Sequence, residues 1–213
     1  MMGDRDYRQL IKNAIVSIGS EIEPKIDPKD INTINVHEVV RCLRRSYFDR
    51  VEPKEVERTG FNDLVSGLLR SRAFGSKSGE FEIDEIKFKG QAEMIIDDAI
   101  IIFRWANELP ENPKADDLLY LNSCMWIFNK MDGIVIYLAG DRKEVSFSLS
   151  RDKKMFEETI RRVRVFNDLL KQKKTPILEP SDECSTCQYY DKCYIKQKVA
   201  KSVSLKDLVG IGK

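Results

Sequence analysis

The chain has 213 residues, long enough to bury a core without help from disulfides. Its 36 Lys and Arg are matched by 35 Asp and Glu, so global charge argues neither for nor against a nucleic-acid partner, and any basic surface must be local. The start, Met1 to Ile11, is charged and lacks the apolar core of a secretory leader. No apolar run reaches the length of a membrane span. The expectation is a cytoplasmic protein without membrane contact, in which thiols stay reduced. Its size suits one domain with small appendages: an N-terminal helical segment 1–34, a core 35–180, and a cysteine-bearing segment with a tail at 181–213.

Apolar residues recur at helical spacing in Leu10, Ile11, Ala14, Ile15 and Ile18, which predicts a helix over 4–18. A second helix is predicted over 35–47. Val36, Val39, Val40, Leu43 and Tyr47 lie on its apolar side, with Arg41, Arg44 and Arg45 largely opposite. Those three arginines suit either a solvated face or a strip that contacts phosphates. A third helix is predicted over 62–74, followed by a loop at 75–79. A meander of three strands follows: Phe81 to Phe88, Ala92 to Ile96 and Ala99 to Trp105, with Asp97-Asp98 as a turn. After a Pro-containing loop come a helix at 115–130, strands at 134–138 and 145–149, and a long helix at 153–174 with basic residues that include Arg161. The tail 196–213 reads as a short helix or as disordered chain. This order of elements predicts an α/β fold in which a mixed sheet is flanked by helices.

Near the C-terminus stands Cys184-Ser185-Thr186-Cys187, with Cys193 five residues further on. Cys42 lies far upstream. Clustered cysteines in a reducing compartment point to a metal centre, because thiolates suit zinc and iron–sulfur clusters and a two-residue spacer lets two sulfurs face one centre. Spacing alone leaves zinc and iron–sulfur open. The single histidine, His37, reads as a surface or packing residue. Cys124, in Cys124-Met125-Trp126-Ile127-Phe128, reads as a small buried hydrophobe.

The order of elements, with Val39-Val40-Arg41-Cys42-Leu43-Arg44-Arg45-Ser46-Tyr47-Phe48-Asp49-Arg50 at the front and Cys184-x2-Cys187-x5-Cys193 at the back, resembles the CRISPR-associated exonuclease 4 family. The resemblance spans about residues 36–195. It implies a RecB-like nuclease core of the PD-(D/E)XK type, closed by a C-terminal cysteine-cluster segment. It also implies an iron–sulfur cluster, of the four-iron rather than the two-iron type, on Cys42, Cys184, Cys187 and Cys193. DNA and the proteins of CRISPR spacer acquisition are the implied partners.

The same resemblance exposes a departure. Such a nuclease holds magnesium or manganese on carboxylates beside a lysine, which lowers the pKa of the attacking water. The family pattern places an acidic residue three after a glycine, then Glu-x-Lys on the next strand. Gly90-Gln91-Ala92-Glu93 supplies the first acid, but Phe103 and Trp105 are expected at the Glu and Lys positions, around Arg104. The upstream histidine gives way to Asn62 or Asp63, and Gln-x3-Tyr to Asn122-x3-Trp126. The expectation is a catalytically impaired, DNA-binding or adaptor protein, with Glu93 as the retained acid and Arg41, Arg44, Arg45, Arg104 and Arg161 as candidate DNA contacts. Two alternatives stay open. One is an active metal-dependent nuclease with relocated partners such as the Glu-x-Lys of Glu85-Ile86-Lys87. The other is a zinc-stabilised interaction module. Phe103 and Trp105 suit either core packing or stacking on unpaired bases.

Overall fold

A computed structural model describes residues 26–54, 77–140 and 143–194. The expected helices at 4–18 and 62–74, with Asn62 and Asp63, and the tail 196–213 lie outside the described residues. The chain divides into two compact units, 1–176 and 177–213.

In the first unit, strand β1 (Thr33–Asn35) leads into helix α1 (Val36–Val40) and helix α2 (Leu43–Val51). The single helix expected over 35–47 is therefore two. Arg41 and Cys42 take extended or non-helical dihedrals between them, and Cys42 becomes the N-cap of α2. The apolar side was read correctly even so: Val36, Val39, Val40, Leu43 and Tyr47 are all buried.

Strands β2 (Lys77–Ile83) and β3 (Ile86–Ala92) form a hairpin in the register Ile83↔Ile86. The run from Phe81 to Phe88, expected as one strand, is folded back on itself. Its two-residue turn, Asp84-Glu85, puts Asp84 at φ 54°, a left-handed conformation that Asp tolerates better than most residues. Lys77 to Gly79, expected in a loop, open β2. Gly79 pairs with Gly90 across the hairpin. At Gly90 an added Cβ would stand 2.7 Å from Ile127 Cδ1, so the glycine lets the next helix lie directly on the sheet.

Strands β4 (Met94–Ile96) and β5 (Ala99–Trp105) follow, joined by the expected Asp97-Asp98 turn. Helix α3 (Ala115–Ile127) crosses to strand β6 (Asp132–Leu138), which pairs parallel to β5, and strand β7 (Glu144–Ser150) returns antiparallel. Helix α4 (Lys153–Lys171) is the last regular element of this unit. Strand order is β1-β3-β2 in one sheet and β4-β5-β6-β7 in the other. Both sheets are mixed: β1 is parallel to β3, and β5 to β6. The expected three-strand meander is thus divided between two sheets, and the chain changes sheet at Glu93, between β3 and β4. The mixed α/β architecture, with mixed sheets and packed helices, is the one the sequence led us to expect. No helix among the described residues is long and apolar enough to cross a membrane.

One core lies among α1, α2, the β2–β3 hairpin and α4. Phe156, Val163, Phe166 and Leu170 of α4 meet Val39, Leu43 and Tyr47 there. A second lies between α3 and the larger sheet, with Ile100, Ile102, Leu121, Met125 and Val135. An ion pair is sealed at the first. Arg50 Nε lies 2.6 Å from Glu38 Oε1 and Arg50 Nη2 2.8 Å from Glu38 Oε2, while the same guanidinium donates to the carbonyls of Asp30 and Thr33. Asn35 N–H donates to Glu38 Oε2 at 2.8 Å. Burial pushes the Glu38 pKa up, but the bonds from Arg50 and the Asn35 backbone outweigh it and hold the carboxyl below its ordinary value. Arg50→Met strands that carboxylate, and we expect a loss of about 3–5 kcal/mol in urea denaturation. The double variant Arg50→Met/Glu38→Leu should recover much of it. A loss within about 0.5 kcal/mol for the single variant, typical of a neutral surface site, would show that the pair is dispensable.

His37 gives a second expectation. Burial, helped by the neighbouring Arg41 charge, pushes its pKa down to about 4 from 6.5. Between those values the unfolded chain holds a proton that the folded chain refuses. The contribution of His37 to stability is therefore complete above pH 6.5 and is lost as pH falls toward 4. Melting temperatures measured across this window should decline for the native sequence, and Glu38, whose pKa is already depressed, adds to the decline only toward its acid end. His37→Gln should flatten the upper part of that profile. An unchanged slope would assign the acid sensitivity to another group.

Candidate functional site

Where β3 gives way to β4, the backbone bends at Glu93. The β4–β5 ladder stops at Met94↔Ile101, and the Glu93 carboxylate takes over beyond it, accepting the Phe103 N–H at Oε2 over 2.6 Å. Its other oxygen, Oε1, lies 2.9 Å from Arg104 Nη1. Arg104 Nε lies 2.5 Å from Asp117 Oδ1 in the first turn of α3, and Arg104 Nη1 also donates to the carbonyl of Phe103 at 2.7 Å. The guanidinium stands over the Tyr120 ring, 5.2 Å from its centroid.

The network continues into the sheet. Asp117 Oδ2 accepts from the Tyr137 hydroxyl at 2.7 Å, and that hydroxyl oxygen accepts the Lys114 N–H at 2.9 Å. The unpaired N–H at the start of α3 and the carboxylate in its first turn are thus both satisfied by one phenol from β6. Tyr120 donates to the carbonyl of Gln91 at 2.8 Å. Burial disfavours the charge on Arg104, but Glu93 and Asp117 on either side more than offset it and hold the guanidinium charged. Burial, and then the hydrogen bond to Asp117, push the Tyr137 pKa up to about 12.

This arrangement corrects the expected register by one residue. Side chains alternate along β5, so Phe103 and Trp105 share one face while Arg104 shares the other with Ile100 and Ile102, which are fully buried. The face that meets Glu93 therefore carries Ile102 and Arg104 rather than Phe103 and Trp105. Glu93 is neither solvated nor free: it is 5 % exposed, and both of its oxygens are engaged. Arg104 is committed to two carboxylates rather than offered to phosphates. Asp117 and Tyr137, which the sequence reading did not single out as site residues, complete the network. Their only sequence signal was ordinary, an acid in the first turn of a helix and an aromatic in a strand.

The other expected positions are scattered. Glu85 lies in the β2–β3 turn and Lys87 on β3, both exposed. In the hairpin register, Lys87 faces Glu82 across the strands. The Asp97-Asp98 turn is held by Lys130, whose Nζ donates to the Asp97 carbonyl at 2.6 Å. Asn122 and Trp126 both serve the entry to α4. Asn122 exchanges two hydrogen bonds with the Asp152 backbone, and Trp126 Nε1 donates to the same carbonyl at 3.3 Å. Among the arginines, Arg41 pairs with Asp49 at 2.6 Å, and Arg44 donates to the carbonyl of Pro176 and lies over Phe48. Arg45 is half-buried. Arg161 is 64 % exposed and paired with Glu158 one turn earlier, so it faces solvent.

In the second unit, Cys184 lies in a 3-10 turn (Asp182–Thr186), Cys187 follows it, and Cys193 lies in a short helix, α5 (Tyr190–Tyr194). Backbone bonds join them: Cys187 N–H donates to the Cys184 carbonyl and Tyr190 N–H to the Cys187 carbonyl. Ser181 N–H donates to Cys184 Sγ at 3.3 Å, a bond of the kind that favours thiolate sulfur. These three cysteines and Cys42 are of intermediate exposure, and none is in a disulfide. Sulfur donors of this kind are soft and suit an iron–sulfur cluster or zinc. Among the described residues, no three side chains of His, Cys, Asp or Glu converge closely enough to hold a metal ion. Cys124 is fully buried against the Gln91 carbonyl, and burial pushes its pKa up to about 12. It is an inert core thiol, as expected.

Glu93→Ala removes half of the counter-charge to Arg104 and leaves the Phe103 N–H without its carboxylate. We expect a loss of about 3 kcal/mol in denaturant unfolding. A dispensable remnant of an active site would change stability by less than about 0.5 kcal/mol.

No protein-family model matches the chain, and comparison with curated proteins gives no match. Solved structures do match. The crystal structure of SSO0001 superposes with a TM-score of 0.64 at 19% identity, covering 86% of this chain and 95% of its own. LHK-Exo in complex with dAMP aligns with a TM-score of 0.46 at 11% identity, over 80% of this chain and 97% of its own. The alkaline exonuclease LHK-Exo from Laribacter hongkongensis aligns with a TM-score of 0.43 at 9% identity, over 85% of this chain and 99% of its own. The first of these likenesses shows the fold: this chain shares its α/β architecture with SSO0001.

Proposed function

We propose that this protein is a nuclease-fold, DNA-binding protein whose hydrolytic site is impaired, and that it works as a binding or adaptor component of CRISPR spacer acquisition. The observation that carries the reading is the state of Glu93. Hydrolysis at this site needs a carboxylate free to hold a divalent metal and a group able to orient water. Glu93 instead spends one oxygen on the Phe103 backbone and the other on Arg104. Its strand neighbour on the same face, Ile102, is apolar and fully buried.

DNA as partner is supported by the resemblance in the N-terminal and cysteine motifs. The side chains best placed to meet phosphates are those of α4 that face solvent: Lys153, Lys154, Arg161, Arg164 and Lys171. Contacts of this type bind by displacing counterions, so affinity should fall steeply with salt. In this reading Cys42, Cys184, Cys187 and Cys193 hold a four-iron cluster. The cluster supplies structural cross-linking rather than redox chemistry. The partial exposure of the four cysteines and the N–H bond to Cys184 Sγ support that assignment.

Anaerobically purified protein should be brown and contain iron and acid-labile sulfide, and Cys187→Ser should lose the colour. Zinc in place of iron would favour the zinc-stabilised module. The same protein should retain single- or double-stranded DNA in a mobility-shift assay and leave it intact with magnesium or manganese. Arg161→Glu with Lys171→Glu should weaken retention roughly tenfold or more and flatten its salt dependence. Cleavage that disappears in a folded Glu93→Gln variant would overturn the impaired site, and absence of any DNA retention would overturn the DNA-binding role.

A further inference from the structure

Glu93 and Asp117 come from different elements, the bend before β4 and the first turn of α3, and both side chains are nearly withdrawn from water, at 6% and 13% exposure. Two carboxylates this poorly hydrated and held against one group repel one another unless a cation lies between them. Here the cation is covalently part of the chain. Arg104 bridges the pair at 2.9 Å and 2.5 Å, and Tyr120 covers its flat face. A guanidinium does not deprotonate at any working pH, so the position is permanently filled. Oxygen donors surround it: the two carboxylates and the Phe103 carbonyl accept from Arg104 directly. One or two carboxylates completed by carbonyls and water are the donor set that magnesium and manganese use.

We propose that Arg104 is the specificity-determining residue of this site: a built-in cation that takes the place of a divalent ion between Glu93 and Asp117 and closes both carboxylates to magnesium and manganese. The proposal rests on the reading of Glu93 as part of an impaired carboxylate site, and it does not depend on DNA binding. It gives Arg104 a role that packing alone would not. A residue serving only to fill space would be replaceable by an apolar side chain, whereas a counter-ion is replaceable only by another cation.

The test follows manganese binding by thermal shift and by loss of the free-ion paramagnetic resonance signal. The native sequence should give no manganese-dependent shift. Arg104→Ser, without metal, should melt lower by about 10 °C. As manganese rises through the millimolar range it should regain stability and take up the ion. Arg104→Lys keeps the charge and should stay indifferent to manganese. Arg104→Ser/Glu93→Gln/Asp117→Asn, with the carboxylates neutralised, should also be indifferent. Manganese uptake by the native protein that is lost in Glu93→Gln would overturn the proposal. So would a folded Arg104→Ser that ignores manganese. Should Arg104→Ser fail to fold with or without metal, the longer Arg104→Gln goes through the same titration, and its failure to gain a manganese response also overturns the proposal. Because no DNA is present, these outcomes are independent of whether the protein binds or cuts DNA.

Discussion

The guanidinium of Arg104, held between Glu93 and Asp117, is the interaction around which the larger sheet is organised. It ties the bend where the chain changes sheets to the first turn of α3, and through Asp117 to Tyr137 on β6. Each partner would be expensive to bury alone. A carboxylate or guanidinium stripped of water costs several kcal/mol unless its bonding capacity is met. Here the groups meet one another's needs, and the backbone N–H groups of Phe103 and Lys114 find their acceptors in the same network. The helix that covers the sheet is thereby fixed in rotation as well as position. Apolar contacts alone leave that rotation loosely set, because they are non-directional.

The first core has its own polar tie of the same kind. Arg50 and Glu38 are almost wholly buried, at 1% and 0% side-chain exposure, and the arginine also takes the carbonyls of Asp30 and Thr33. The effect is to bind the segment before β1 to the end of α2. Arg162 of α4 does related work, donating to the carbonyls of Val39 and Arg41 at the break between α1 and α2. These arginines act as backbone partners where the chain leaves regular structure. That use explains why several of the described arginines are turned to the protein rather than to a ligand. Of the five considered for DNA, four lie half-buried or buried among protein partners, and Arg161 faces solvent.

The cysteine-bearing unit is organised differently. Among its described residues the regular elements are short, and local order comes from backbone bonds that run from one cysteine turn to the next. Short elements of this size gain little from hydrophobic burial. Metal ligation is the usual way such a segment acquires stability, and this physical need, more than the spacing alone, supports the cluster proposed on Cys42, Cys184, Cys187 and Cys193. The expected division of roles is then consistent across the chain. Carboxylates and arginines do internal electrostatic work in the first unit, and soft sulfur donors are left for the metal chemistry proposed above.

Local pattern alone determined the elements whose periods are unbroken. β5, α3, β6 and α4 were legible because Ala-Ile-Ile-Ile-Phe, the apolar run of α3, the Gly-led Ile-Val-Ile-Tyr-Leu and the spacing Phe156, Ile160, Val163, Phe166 each encode one period with few competitors. The burial of Cys124 was legible too, since it follows from residue chemistry. Tertiary structure decided what period cannot. A strand has two faces of equal spacing, and only the placement of α3 selects the Ile102–Arg104 face over the Phe103–Trp105 face. The partners of Arg104 arrive from 11 and 13 residues away, and Tyr137 reaches Asp117 across 20, so no local window contains the network. The turn at Asp84 and the break at Cys42 were missed for the same reason. Each interrupts a run whose residues would extend a strand or a helix, and long-range packing, not propensity, pays the cost of the interruption.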